Sequence, residues 1–133
     1  MSKIKIQYTG DLRTQSTHID SNSIIETDAP KDNQGFGSKF SPTDLVASAL
    51  GSCLLTIMGI VSKRHNIDMV GSYANIEKQM SENPRKISKI IVNIYMIKSL
   101  SEKNKKILHN ASKHCPVHNS LDKDIDIQIN FRG

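Results

Sequence analysis

The chain has no tryptophan and only six other aromatic residues, three tyrosines and three phenylalanines, among its 133 residues. Arginine is also scarce: of 18 basic residues only Arg13, Arg64, Arg85 and Arg132 are arginines. A net charge of +5 carried mostly by scattered lysines, with one cluster at Lys103, Lys105 and Lys106, lacks the stacking platform or arginine stripe that nucleic acid requires. The lysines read as a solvated helix face, and no nucleic-acid partner is expected. Cysteine is limited to two residues, too few for a disulfide framework. The N-terminus alternates charged and apolar residues and has no continuous hydrophobic segment of the kind a secretion signal needs. A cytoplasmic location is therefore expected, where paired cysteines are more often catalytic or metal-binding than structural.

Charge is absent from residues 45–62. Eighteen residues touch the lower limit for a membrane span. Ser48, Gly51, Ser52, Cys53, Thr56 and Gly59 make the stretch less apolar than such spans are, and no aromatic belt flanks it. It reads as a helix buried on nearly all sides of a soluble core, and no membrane partner is expected.

The length suits a single domain over residues 1–133. Residues 3–8 alternate and predict a strand, Thr9, Gly10 and Asp11 a turn, 12–19 a second strand, and Ser21, Asn22 and Ser23 a turn into a third strand over 24–28. This N-terminal antiparallel meander leads into a polar loop over 29–39. Ser41 and Pro42 start a long central helix reaching about residue 65. Gly51 and Gly59 each cost that helix about 1 kcal/mol relative to alanine, which points to close backbone approach at both. Further strands follow at 68–80 and 87–97. Ser101 caps a helix over 102–113, Cys115 caps a short helix with Pro116 at its first position, and 124–131 alternates as a last strand. The class is α+β, with a C-terminal helix pair and one six-stranded sheet expected.

The two cysteines lie in contrasting contexts. Cys53 is predicted to be buried in mid-helix, and Cys115 to stand at a helix start. A buried nucleophile with a distant resolving thiol is what a thiol peroxidase needs. Attack on an O–O bond leaves a sulfenic acid, which a second thiol condenses to a disulfide. The nucleophile is the thiolate. Cys53 lies too far along its helix for the dipole to activate it, so a cation must come from elsewhere. Arg64 is three turns further along the same helix and Arg132 is terminal, which leaves Arg13 and Arg85. Arg13, just after a hairpin turn, is the first choice, because a guanidinium stays charged and can bridge a thiolate and a peroxide oxygen. Asp44 is available to hold it, or simply complements the helix dipole. At the N-cap, the Cys115 thiolate is expected to be stabilised. His114 and His118 with the cysteines form a rival metal-binding set, weakened by Pro116 between them. His18, His65 and His109 show no evident partner. No metal and no bound cofactor are expected.

The ordered set Ser41-Pro42-Thr43-Asp44-Leu45, Ala49-Leu50-Gly51-Ser52-Cys53 and Cys115-Pro116-Val117 resembles the OsmC/Ohr family of peroxide-handling proteins. With Gly10-Asp11-Leu12-Arg13 and the loop Thr27 to Gly35, the chain is most similar to the OsmC-like branch. The resemblance implies an OsmC-like α+β fold with two intertwined subunits forming a homodimer. It also implies reduction of organic hydroperoxides, with Cys53 peroxidatic, Cys115 resolving and Arg13 assisting. An external dithiol or lipoylated protein would be the reductant. The Ohr pattern places a glutamate ten positions before the first cysteine; Thr43 stands there, with Asp44 beside it. That departure motivates the alternative of a non-catalytic relative binding a small hydrophobic ligand or partner in the inter-subunit cleft.

Overall fold

The computed structural model describes residues 1–97 and 99–132. The chain is α+β and divides into two compact units, Met1–Val46 and Ala47–Gly133.

The first unit is the expected meander. Strands β1 (Ile4–Gly10), β2 (Arg13–His18) and β3 (Ile24–Asp28) form an antiparallel sheet in the order β1-β2-β3. Asp11 and Leu12 both take positive φ, 55° and 61°, between the paired residues Gly10 and Arg13. A two-residue hairpin loop with both φ angles positive matches the right-handed twist of its strands. Arg13 is thereby fixed as the first residue of β2, directly opposite Asp28 at the end of β3. His18 and Ser21 close the second turn through a 2.7 Å hydrogen bond between Nδ1 and Oγ.

The loop after β3 doubles back on itself. The amides of Asn33 and Gly35 both donate to the Pro30 carbonyl, and that of Gly37 to Ala29. A Cβ at position 35 would overlap the Ala29 carbonyl, so only glycine fits there. The loop ends at Ser41, which caps helix α1 (Pro42–Arg64). The Ser41 hydroxyl accepts from the Asp44 amide at 3.1 Å, and the Asp44 carboxylate accepts from the Ser41 amide at 3.0 Å. This reciprocal capping box, with Pro42 in the first helical position, is why the helix starts where it does.

Most of α1 belongs to the second unit, with β4 (Tyr73–Ser81), β5 (Lys86–Tyr95), α2 (Glu102–Ala111), α3 (Pro116–Ser120) and β6 (Asp126–Arg132). The strands form a second sheet, β4-β5-β6. The expected six-stranded sheet is thus two three-stranded sheets. β4 and β5 are an antiparallel hairpin with Tyr73 stacked on Tyr95 across the pair at 4.9 Å. β6 instead runs parallel to β5, with Ile127, Ile129 and Phe131 opposite Ile90, Val92 and Ile94. A parallel pair requires a crossover connection, and here it carries α2 and α3. β4 begins five residues later than the periodicity predicts. Asp68 accepts from the Val70 amide, Ser72 donates back to Met69, and Gly71 takes φ +91°, so 68–72 form turns.

The residues that are 0–1% exposed in this unit include Leu50, Leu54 and Met58 of α1, Ile90, Val92 and Ile94 of β5, and Leu108 of α2. Ser101 caps α2 by accepting from the Asn104 amide at 3.1 Å. His109 stacks on Phe131, ring centres 3.7 Å apart. Of the apolar stretch in α1, only 33% is buried, although its length and composition would suffice to cross a membrane. The expectation of a helix covered on nearly all sides is corrected for the single chain. Burial follows one stripe, Ala47, Leu50, Gly51, Leu54, Met58 and Ser62. Gly51 meets the expectation of close packing, because a Cβ there would run into the Ile76 side chain. Gly59 does not, since nothing described lies within 4 Å of where its Cβ would stand.

Candidate functional site

The second unit brings the two cysteines together. Cys53 lies 100° around α1 from the buried Leu54, at the edge of the stripe, and is half-buried with a free thiol. Cys115 is fully buried, also with a free thiol. The expected burial of Cys53 is corrected, since the mid-helix thiol is the more accessible one, while Cys115 stands at a helix start as expected and is enclosed. Cys115 caps α3, its sulfur accepting from the His118 amide at 3.4 Å, and Pro116 occupies the first helical position. The Cys53 thiol lies near enough to the Cys115 thiol to act on its titration.

Burial pushes the Cys115 thiol above its ordinary range, and the nearby Cys53 thiol pushes the same way. The amides of His118 and Val117 act in the opposite direction but do not win. The N-cap stabilisation expected from the sequence is thus present and outweighed by desolvation.

The first unit holds Arg13, and with it a carboxylate the sequence did not single out. Asp28 is fully buried, and its Oδ2 lies 3.7 Å from Arg13 Nε. That oxygen also accepts from the Ser38 amide at 2.9 Å and the Ser38 hydroxyl at 2.6 Å. Ser38 Oγ in turn accepts from Arg13 Nη2 at 3.2 Å. The Phe36 ring sits with its centre 5.5 Å from the guanidinium carbon, a cation–π approach. The two hydrogen bonds from Ser38 hold the Asp28 carboxyl below the usual carboxylate range, burial opposes them, and the Arg13 charge reinforces them. One signal for Asp28 exists in the sequence. A turn around Ser21 makes Arg13 and Asp28 cross-strand partners once the hairpin register is counted. Asp44, the carboxylate considered for Arg13 from sequence, takes part in the helix cap.

Among the described residues no cluster of three or more histidine, cysteine, aspartate or glutamate side chains is placed to hold a metal ion, which leaves the His114–His118 metal reading without support.

The pattern of the OsmC-like protein family matches residues 35–130. A protein of Psychrobacter arcticus, provisionally described as an osmotic stress induced and detoxification response protein, has a solved structure that superposes with a TM-score of 0.95 at 43% identity, covering 99% of this chain and 96% of that one. An organic hydroperoxide resistance protein OsmC from Legionella pneumophila shares the fold at a TM-score of 0.79 and 14% identity, over 100% and 97% of the two chains. An uncharacterized protein of Methanocaldococcus jannaschii is 35% identical over 95 residues, 68% of this chain; the chain spans about half the length of that relative. The family pattern and the superposed fold agree: this chain belongs to the OsmC-like protein family.

Proposed function

We propose that the chain is a cytoplasmic thiol-dependent peroxidase that reduces organic hydroperoxides through Cys53, with Cys115 as the resolving thiol. The observation that carries this reading is the pair of neighbouring free thiols, one half-buried and one enclosed. The half-buried sulfur is the one a substrate can reach, so Cys53 is the nucleophile. Its thiolate attacks the distal oxygen of ROOH. The O–O bond breaks, a proton goes to the departing alkoxide to give ROH, and Cys53 becomes a sulfenic acid. Cys115 then attacks that sulfur, the S–O bond breaks, and water leaves as the disulfide forms. An external dithiol, free or carried by a lipoylated protein, reduces the disulfide by exchange and is itself oxidised. In this reading Arg13 supplies the lasting positive charge that favours the Cys53 thiolate and the polarised peroxide.

The active form in this proposal is a homodimer. In the first unit Ile4, Ile6, Tyr8, Ile24 and Ile25 are exposed. Ile4, Ile6, Ile25 and Leu45 line an open apolar groove of about 510 Å³. Ala49, Ser52, Thr56 and Ile60 leave one face of α1 uncovered. Apolar surface on this scale marks an interaction site, and a second copy is the occupant the family resemblance implies.

The test is direct. Purified protein mixed with cumene hydroperoxide and a dithiol consumes peroxide, and Cys53→Ser abolishes the consumption. No turnover by the wild-type protein, or equal turnover by Cys53→Ser, ends the reading. Turnover also separates it from a non-catalytic ligand-binding relative, the alternative suggested by Thr43 at the position of the Ohr glutamate.

A further inference from the structure

We propose that Asp28 is a positioning residue for Arg13, and that with Ser38 it fixes the direction in which the guanidinium is presented. The inference rests on the peroxidase reading for its catalytic consequence, though not for the anchor itself.

Four features of the first unit make the anchor. First, the β2–β3 register sets Arg13 and Asp28 directly opposite each other, so backbone hydrogen bonds fix both Cα positions. Second, the two ends of the pair differ in exposure. The Arg13 side chain is 41% exposed and the Asp28 side chain 0%. A carboxylate so enclosed needs compensating donors and charge, whereas an arginine that exposed does not need a buried partner. The enclosed group is the fixed point and the guanidinium is what it holds.

Third, the connection runs through Ser38. Its amide and hydroxyl both donate to Asp28 Oδ2, and its hydroxyl oxygen receives Arg13 Nη2. The direct Nε–Oδ2 separation of 3.7 Å is too long for a hydrogen bond. Among the described residues Arg13 Nε and Asp28 Oδ1 make no hydrogen bond. The pair is therefore not a two-pronged fork that would occupy the guanidinium edge. It orients the group while leaving donor capacity for a substrate oxygen or a sulfur.

Fourth, the loop that delivers Ser38 has a determined path. Gly35 lies against the Ala29 carbonyl, and the Gly37 amide returns to Ala29. The same loop sets the Phe36 ring against the guanidinium. Arg13 is thus bounded by an aromatic ring and by a serine tied to a buried charge. The lowered Asp28 carboxyl keeps the anchor ionised at neutral pH.

The experiment uses the full-length protein, with Ser38→Ala and Asp28→Asn, and Ser38→Thr as the conservative variant that restores a hydroxyl. Two quantities are read: hydroperoxide turnover, and the Arg13 Nε–H resonance by nitrogen-edited NMR. Ser38 is exposed, so its variants are expected to fold even if Asp28→Asn does not. Small misplacements of a catalytic group cost up to about 10²-fold in rate. Ser38→Ala and Asp28→Asn should lower kcat at least about tenfold with KM within about twofold, while Ser38→Thr recovers much of the loss. The Arg13 resonance should be distinct and slowly exchanging in the wild-type protein and in Ser38→Thr, and averaged in Ser38→Ala. Folded Ser38→Ala with wild-type kcat and an unchanged resonance overturns the anchor. If the wild-type protein consumes no hydroperoxide, the peroxidase reading fails and the NMR comparison alone decides the anchor.

Discussion

Gly51 offers a quantitative test of how α1 is seated. It stands two residues before Cys53, and it is buried where the helix approaches Ile76 of β4. A methyl group at position 51 would collide with Ile76 Cδ1 and come within 3.3 Å of its Cγ1. Overpacking a filled interior costs about 1–3 kcal/mol. Replacing glycine by alanine inside a helix returns about 0.8–1 kcal/mol. Gly51→Ala should therefore destabilise by about 0–2 kcal/mol, against the sign that helix propensity alone gives. Ile76→Val removes the colliding methyl and by itself costs about 0.5–1.5 kcal/mol. Combined, the two changes should cost less than their sum, with a coupling of about 1–2 kcal/mol. The assay is urea unfolding at one fixed protein concentration, because association would make the midpoint concentration-dependent. Additivity within about 0.3–0.5 kcal/mol would show that the two side chains are independent and refute the packing argument. Alkylation of Cys53, followed in the same variants, reads whether lifting α1 changes access to its sulfur.

Further outcomes follow from the cysteine pair, the capping residues and the open apolar faces. Cys115→Ser should leave Cys53 without its resolving partner, so peroxide drives it on to sulfinic and sulfonic acids, visible by mass spectrometry; a stable sulfenic acid under excess peroxide would contradict this. Because the folded-state Cys115 pKa is raised, its attacking thiolate accumulates only above the ordinary thiol range near about 8.5. Disulfide formation after a single peroxide pulse should keep accelerating past that pH, and a plateau below it would count against the burial argument. The Asp28 pKa is lowered on folding, so its stabilisation is present above its unfolded value of about 3.9 and is lost as pH falls through the lower folded value. Asp28→Asn should flatten the acid limb of a stability–pH curve below about pH 4 and leave its slope near neutrality unchanged. Ser101→Ala removes the α2 cap and should cost about 1 kcal/mol in chemical unfolding. Sedimentation at micromolar concentration should give a dimer, and a monomer would remove the proposed assembly.

The parts legible in the sequence are those decided locally. The third strand lies at Ile24–Asp28 as predicted, because turn residues bound it on one side and Pro30 follows on the other. The start of α1 is set by Ser41, Pro42 and Asp44, three adjacent positions with a known capping chemistry. The role of Cys115 as the cap of α3 was readable for the same reason. What could not be read depends on partners distant in the chain. Alternation along 126–132 shows which side chains share a face, but not that the strand lies parallel to β5 in a separate sheet. The apolar character of 45–62 signals burial without saying how much of it one chain supplies. The order of burial of the two thiols turned on what covers position 115, which no local pattern encodes. Asp28 is not legible in the same way, because helix-start carboxylates are recognised by neighbours in sequence, whereas its contacts come from the hairpin register and from a loop serine ten residues away.

The parallel pairing of β6 with β5 imposes an order of assembly on the two cysteines. The 30 residues between those strands form a closed excursion, and Cys115 rides on it. A hairpin such as β4–β5 can zip from its own turn, but a parallel partner must first close this long loop. During synthesis or refolding, Cys53 is then exposed on a forming helix before its sulfur neighbour has a fixed address. Oxidant present in that interval would meet a solitary thiol, so the nascent protein should be oxidised more readily than the mature one.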